Sequence, residues 1–307
     1  MLRGLSGAAS GRPLPCMPAP FILLILSICA VWAPKPPRGF FAVVPLWTLL
    51  YATAAGLACV QGIVQPLGIA ALLLLFALAA WTARSQGTRW YGLAWVLLLA
   101  LSAALALHQV PGFQNPVAIS GVRFSDDAVP FTQFLNFDKG SVGLVLLAWL
   151  APRLRRGDPL GQHARTTACA WSLTTAIVLA LAVVGGVVRP DFKWPPQTAL
   201  FLVTNLFLTC VAEQAMFRTL VQDPLRGAGQ ANALTRRAAV AMALSALLFG
   251  LAHAGGGAWM AGLAGLAGLG HAIVYEKTRR IEAAILVHFG LNAVHFLAFT
   301  YPALAWR

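Results

Sequence analysis

Five side chains near the end of the sequence have the types needed to hydrolyse a peptide bond, although each lies in an apolar run. Glu213 and Arg218 share one run, His253 closes the next, and His288 and Asn292 lie four residues apart in the last. An ionisable side chain at the centre of a membrane span costs about 3 kcal/mol on insertion scales and usually faces a cavity or the bundle interior. A carboxylate can take a proton from water, while imidazole and amide N–H groups can stabilise an oxyanion. The residue types therefore allow acid–base hydrolysis inside a membrane.

Helical geometry predicts how these side chains are oriented. At about 100° per residue, Glu213 and Arg218 differ by about 140° in direction, whereas Gln214 and Arg218 are neighbours on one face. We expect Glu213 to face a cavity, with Arg218 braced nearby against the amide of Gln214. Phe249 precedes His253 by four residues, and its ring is expected one turn below the imidazole.

Close packing of several helices is needed to bring these groups together. A seam of small residues between the second and third motifs would let backbones approach. It consists of Gly262, Gly265, Gly268 and Gly270. We therefore expect the helices that carry Glu213, His253 and His288 to meet beside this seam.

The remaining histidines fall outside the motifs. His108, His271 and His295 lie in or beside apolar runs and are expected to be hydrogen-bonded structural residues. His163 lies in a basic loop, where a solvated role is expected. Replacing His108 or His271 is therefore predicted to leave activity largely intact.

Composition indicates that a bilayer surrounds most of this chain. Of its 307 residues, 59% are hydrophobic and 10% are charged, against about 25% charged in soluble domains. Apolar runs of this length predict an all-α fold, a polytopic membrane helix bundle of about 8–10 transmembrane helices. The predicted spans are 40–61, 64–83, 91–109, 141–152, 167–188, 197–222, 238–254, 258–275 and 282–300, with 21–33 as a shallower segment.

Polarity divides the chain into four regions. Residues 1–110 and 141–194 are transmembrane helices without motifs, 111–140 form a polar loop or re-entrant lid on the non-cytoplasmic face, and 195–300 hold the motifs in one helix bundle. The apolar run 21–33 also resembles a secretory signal, but the prolines on both sides of it oppose this interpretation.

The net charge of +13 does not indicate a nucleic-acid-binding protein, because the cations flank the spans and form no basic face. They fall in alternate loops, as the positive-inside rule predicts for cytoplasmic loops. These loops are 84–89, 153–165, 226–237 and 277–280. The five cysteines have no paired spacing, so neither a disulfide framework nor a cysteine zinc motif is predicted.

The depth of the site follows from the distance of each motif to the basic loops. Glu213 lies about 15 Å from Asp223 and His288 about 12 Å from Arg280 along their helices. We therefore expect the site to open toward the cytoplasmic leaflet. His253 fits less well, since it lies about 24 Å from the preceding basic loop by the same rule.

The three motifs, Glu-x4-Arg, Phe-x3-His and His-x3-Asn, resemble those of the CAAX prenyl protease and bacteriocin-processing family (CPBP, or Abi) of glutamic-type intramembrane proteases. The resemblance covers roughly residues 195–300. It implies an intramembrane endopeptidase in which Glu213 is the general base and His253 its partner. It also implies that His288 and Asn292 hold the oxyanion.

One position departs from the family pattern. Gln214 stands where a second Glu is usual, so the anchoring of Arg218 would rest on a neutral amide and other partners. Gln214, Arg218 and Phe249 are thus supporting residues. Because Glu213 is the residue that the resemblance assigns as base, we expect activity to survive, with a pseudoenzyme as the alternative.

Two other classes of function are compatible with the same residues. Glu213, His253 and His288 could bind a catalytic zinc ion, but no His-Glu-x2-His occurs and the family resemblance favours a mechanism without a cofactor. The polar groups could also belong to a transporter or a non-catalytic scaffold, in which Glu213 and Arg218 form a structural ion pair. No matching pair of repeats supports a transporter.

The expected partners are the lipid bilayer and a membrane-anchored protein or peptide that is cut near its C-terminus, and no nucleic acid is expected. The resemblance leaves three substrate classes open: prenylated proteins, peptide precursors and membrane-anchored proteins with C-terminal sorting tails. The basic loops suit a bacterial inner membrane.

Overall fold

The structure is a computed structural model and describes residues 17–34, 39, 44–155, 157–227 and 235–305. Within them the chain forms ten helices, a short 3₁₀ turn at Ala254–Gly256, and one two-stranded sheet. The elements are α1 (Ala19–Ala30), α2 (Leu46–Val60), α3 (Pro66–Arg84), α4 (Tyr91–Ala106), β1 (Val117–Val122), β2 (Phe131–Phe134), α5 (Phe137–Trp149), α6 (Leu160–Val184), α7 (Thr198–Arg226), α8 (Arg236–Ala252), α9 (Ala258–Thr278) and α10 (Ile281–Ala298). Positions 40–43 of the first long predicted span lie outside the described residues.

Five of these helices, α3, α6, α7, α9 and α10, are long and apolar enough to cross a membrane. The other five have 12 to 17 residues. The predicted all-α, polytopic class is confirmed, and length alone identifies five of the crossings.

The polar segment before α5 contains an antiparallel hairpin, in which Val117 pairs with Phe134. Helix α5 begins at Phe137, inside the range 111–140 that was predicted as a loop. Its start is capped from a distance, because Asn115 Oδ1 accepts a hydrogen bond from the Phe137 backbone N–H at 3.0 Å. The side chain of Asp138 also suits the positive end of the helix dipole. A cap 22 residues away leaves no local sequence signal, so the predicted boundary was four residues late.

Helix α7 is the centre of the bundle and is not a regular α-helix. Asn205–Cys210 and Phe217–Gln222 are π-helical, and Val211–Met216 between them is α-helical. π-Helical turns are rare and occur often at functional sites. Because a π turn is wider, residues on either side of Phe217 do not keep the 100° spacing that the sequence interpretation assumed.

Glycines determine which helices approach the centre. A Cβ atom at Gly143 of α5 would lie 2.8 Å from the Cα of Ala212 in α7, so only glycine permits this contact. In the predicted seam, Gly268 lies against Phe249 of α8, and Gly265 is close to the backbone of the same helix. Gly270 instead faces Thr174 of α6, and Gly262 faces open space, so the seam is shorter than predicted.

Candidate active site

Glu213 lies in the α-helical segment between the two π turns and is 8% exposed. Its Oε1 accepts a hydrogen bond from Lys139 Nζ at 2.6 Å. Its Oε2 is buried without a hydrogen-bond partner in the described residues and lies 3.9 Å from His288 Nε2. The two oxygens of this carboxylate therefore have different surroundings.

The neighbouring Gln214 is fully buried and contacts two imidazoles. Its Nε2 lies 3.0 Å from His288 Nδ1 and 3.1 Å from His271 Nδ1. When the amide donates to both nitrogens, neutral His288 carries its proton on Nε2, the nitrogen closer to Glu213. The amide thus determines which nitrogen of His288 can donate.

His271 belongs to this cluster, although its position outside the motifs predicted a structural residue. It is fully buried, and its ring stacks on that of His288 with centroids 4.7 Å apart. The spacing from Phe249 or His288 gave no sign of this, because His271 lies on α9, a helix without a motif of its own. The hydrogen bond to Gln214 agrees with the expected hydrogen-bonded role, and the effect of replacing His271 on activity stays a prediction.

Arg218 is fully buried, but Gln214 does not anchor it. Its Nη1 donates to Gln222 Oε1 at 2.6 Å, whereas its Nε and Nη2 have no hydrogen-bond partner in the described residues. The prediction that Gln214 braces Arg218 was wrong, because the π-helical turn that starts at Phe217 changes the direction of the following side chains.

His253 forms the C-cap of α8, and Phe249 lies one turn before it, as predicted. His253 Nδ1 lies 2.8 Å from the backbone carbonyl oxygen of Phe249. Because a carbonyl oxygen can only accept a hydrogen bond, the imidazole proton lies on Nδ1. In the neutral imidazole, Nε2 of His253 then carries no proton and can accept a hydrogen bond. The Phe249 ring contacts three imidazoles, with centroid distances of 4.7 Å to His253, 5.6 Å to His271 and 5.5 Å to His288.

Asn292 is oriented by an asparagine that sequence interpretation missed. Its Nδ2 donates to Asn205 Oδ1 at 3.2 Å, and Cys210 Sγ donates to the same oxygen at 3.3 Å. Asn205 lies eight residues before Glu213 in the same apolar run, so a search for polar residues within that run would have found it.

A cavity of about 260 Å³ joins these groups. Its polar lining includes all four predicted catalytic residues, Glu213, His253, His288 and Asn292, together with Asn205, Thr209, His271 and His295. Glu213 and His253, which lie on different helices, thus face one cavity. Among the described residues, no three His, Cys, Asp or Glu side chains are placed to hold one metal ion.

The cavity extends from the middle of the bundle, where Glu213 and His288 lie, toward the helix ends away from the basic loops. His253 closes the end of α8 away from Arg236, and Tyr301 and Pro302 follow the end of α10 away from Arg280. The long distance of His253 from its basic loop agrees with its position at the helix end. The expected opening toward the cytoplasmic leaflet stays a prediction.

A protein-family comparison matches the part of the chain that carries these motifs. Residues 195–294 match the family described as Rce1-like type II CAAX prenyl endopeptidase. No curated protein and no solved structure matches the chain. The match includes Glu213, His253, His288 and Asn292, and confirms the resemblance drawn from the motifs. It supports an intramembrane protease of the CAAX type, in an integral, multi-pass membrane protein.

Proposed function

We propose that this protein is a glutamic-type intramembrane endopeptidase that uses no metal ion. The observation that carries the proposal is the shared cavity of Glu213, His253, His288 and Asn292 within the region that matches a protease family. A base, a second proton acceptor and two N–H donors around one cavity are the groups that hydrolysis of an amide needs.

In the proposed reaction, each of the four residues has a separate role. Glu213 Oε2 takes a proton from water, which His253 Nε2 orients, and the water oxygen forms a bond to the scissile carbonyl carbon. The electron pair of the C=O double bond moves to oxygen, where N–H donation from His288 and Asn292 stabilises the oxyanion. The C–N bond then breaks, and the proton held by Glu213 passes to the leaving nitrogen. Atoms and charges balance without a cofactor.

The substrate in this proposal is a membrane-anchored protein or peptide cut near its C-terminus. Because the cavity extends toward the helix ends away from the basic loops, we propose that a substrate enters from that side of the bundle. A bacterial inner membrane remains the proposed location. Zinc remains the alternative cofactor, and metal analysis of active purified protein tests it.

The test is cleavage of three probes by protein reconstituted in liposomes. The probes are a prenylated peptide ending in a CAAX sequence, a peptide precursor, and a single-span protein with an apolar C-terminal tail. We expect cleavage of at least one probe by the wild type and by Glu282→Gln, a matched change of a carboxylate outside the cavity. Glu213→Gln should remove cleavage while the protein keeps its melting temperature. Equal cleavage by Glu213→Gln would refute the proposal.

A further inference from the structure

Lys139 contacts the proposed base from outside the region that matches the family. It lies in the first turn of α5, and its Nζ donates to Glu213 Oε1 at 2.6 Å. The Lys139 side chain is 17% exposed and that of Glu213 10%. This ion pair is therefore mostly removed from water, and its geometry matters more than that of a surface pair.

The contact makes the two oxygens of Glu213 unequal. Oε1 is occupied by the ammonium group of Lys139, whereas Oε2 has no hydrogen-bond partner in the described residues. A buried carboxylate oxygen is nearly always hydrogen-bonded, to water where no protein group reaches it. Glu213 lines the cavity and Lys139 does not. Oε2 is thus the oxygen that the ion pair leaves without a partner.

The backbone around Lys139 is held firmly enough to position its side chain. The Lys139 N–H donates to Asp138 Oδ1 at 2.8 Å, and Asn115 Nδ2 donates to the same oxygen at 3.1 Å. Asp138 Oδ2 lies 2.7 Å from His108 Nδ1. The close approach of Gly143 to Ala212 fixes α5 against the segment of α7 that carries Glu213.

We propose that Lys139 is a positioning residue for the catalytic base. Its ammonium group holds Oε1, keeps the carboxylate ionised, and leaves Oε2 to receive the proton of the attacking water. Burial in an apolar site favours the neutral form of a carboxylic acid, and a cation at this distance favours the charged form. The proposal rests on the proposed function, because it gives Lys139 a role only if Glu213 is the base.

The experiment measures kcat as a function of pH for Lys139→Gln, Lys139→Arg and the matched control Lys277→Gln at an exposed lysine. Because a carboxylate without its cation binds a proton at higher pH, the acidic limb of the profile should move up by about one pH unit or more in Lys139→Gln. At a pH on that limb, the rate should fall about tenfold or more. Lys139→Arg keeps a cation and should retain the wild-type limb, as should Lys277→Gln.

The other titratable groups that face Glu213 are unchanged in these variants, so the shift reports the loss of the cation. They are His253, His271 and His288 on the packed helices and Cys210 on α7. Melting temperatures accompany each profile. If Lys139→Gln does not fold, Lys139→Met, which keeps the apolar stem, takes its place in the same measurement.

Several outcomes contradict the proposal. An unshifted profile in a folded Lys139→Gln enzyme would overturn it, and so would a folded Lys139→Arg enzyme that loses as much activity as Lys139→Gln. Failure of the proposed function is a different result: the wild type cuts no probe, or Glu213→Gln cuts as fast as wild type, whatever the Lys139 variants do.

Discussion

The two ends of the helix bundle hold their charged groups in different surroundings. At the end of the bundle that carries the basic loops, the basic end, three arginines are paired with carboxylates at 2.5 to 2.6 Å. The pairs are Arg226 with Glu276, Arg279 with Asp223, and Arg280 with Asp158. Around Glu213, five buried polar atoms have no hydrogen-bond partner in the described residues. They are Glu213 Oε2, Gln214 Oε1, Arg218 Nε and Nη2, and His271 Nε2.

This difference is one of number. Buried polar atoms in folded proteins are nearly always paired, and the exceptions need an explanation. Five of the twelve exceptions among the described residues belong to the four residues around Glu213, whereas Arg279 Nη1 and Glu282 Oε2 lie at the basic end. We therefore expect function around Glu213, and we expect the ion pairs at the basic end to hold helix ends together.

Removing an oxyanion donor from the cavity should have the largest effect among the variants that keep the base. We expect His288→Ala and Asn292→Ala each to lower kcat about a hundred- to a thousand-fold. Single-turnover cleavage of the best probe measures the loss of rate, with His163→Ala at the basic end as control. If the control lost as much activity as either variant, the distinction between the two ends would be wrong.

His271 tests whether a residue outside the motifs contributes to activity, and its expected effect is smaller. It contacts Gln214 through one hydrogen bond and stacks on His288. The loss of one hydrogen bond is worth about 0.5–1.5 kcal/mol, so we expect His271→Leu to lower kcat up to about tenfold. A variant with unchanged kcat and unchanged melting temperature would return His271 to the peripheral role that its sequence position suggested.

Gln214→Glu tests the same region by adding a negative charge beside Glu213. The carboxylate would restore the usual family residue next to His271 and His288, which Gln214 contacts. We expect activity equal to or slightly above wild type and a changed pH profile, since adjacent carboxylates titrate together. Gln162→Glu on the exposed surface of α6 is the control. An inactive wild type rescued by Gln214→Glu would identify the natural protein as a pseudoprotease.

The sequence predicts features that depend on neighbouring residues better than contacts between residues far apart in the chain. The apolar runs that predict α3, α6, α9 and α10 reflect local composition. The four predicted catalytic side chains line one cavity, whose other polar lining residues lie outside the motifs. Lys139 reaches Glu213 across 74 residues. The pattern of residues within α5 gives no information about a partner on α7, so this contact could not be predicted from the sequence.

One prediction about direction failed because helix geometry is not uniform along α7. The brace between Gln214 and Arg218 assumed a regular α-helix, and the π turns of α7 change the spacing. The cytoplasmic opening was predicted from residue counts on α7 and α10, and it stays a prediction.

The smallest effect of a substitution is expected at the basic end, at the ion pair of Asp158 and Arg280. Hydrogen bonds from Arg280 and from the Arg155 backbone N–H hold the pKa of Asp158 well below its usual range. A lowered pKa in the folded protein means that the stabilisation is present above the unfolded pKa of about 3.9 and is lost as the pH falls through the folded value. Asp158→Asn should therefore lower the melting temperature slightly at neutral pH, with no difference in strong acid and unchanged kcat. A loss of cleavage would contradict its purely structural role.

The central claim, that Glu213 activates water directly, is tested by single-turnover cleavage in ¹⁸O-enriched water with mass analysis of protein and product. The wild type should place one ¹⁸O atom in the new carboxyl terminus without any covalent adduct on the protein. Glu213→Gln, still folded, should form product about a hundred- to ten-thousand-fold more slowly. An acyl adduct on Cys210, the buried thiol one turn before Glu213, or cleavage by Glu213→Gln at the wild-type rate would contradict the mechanism.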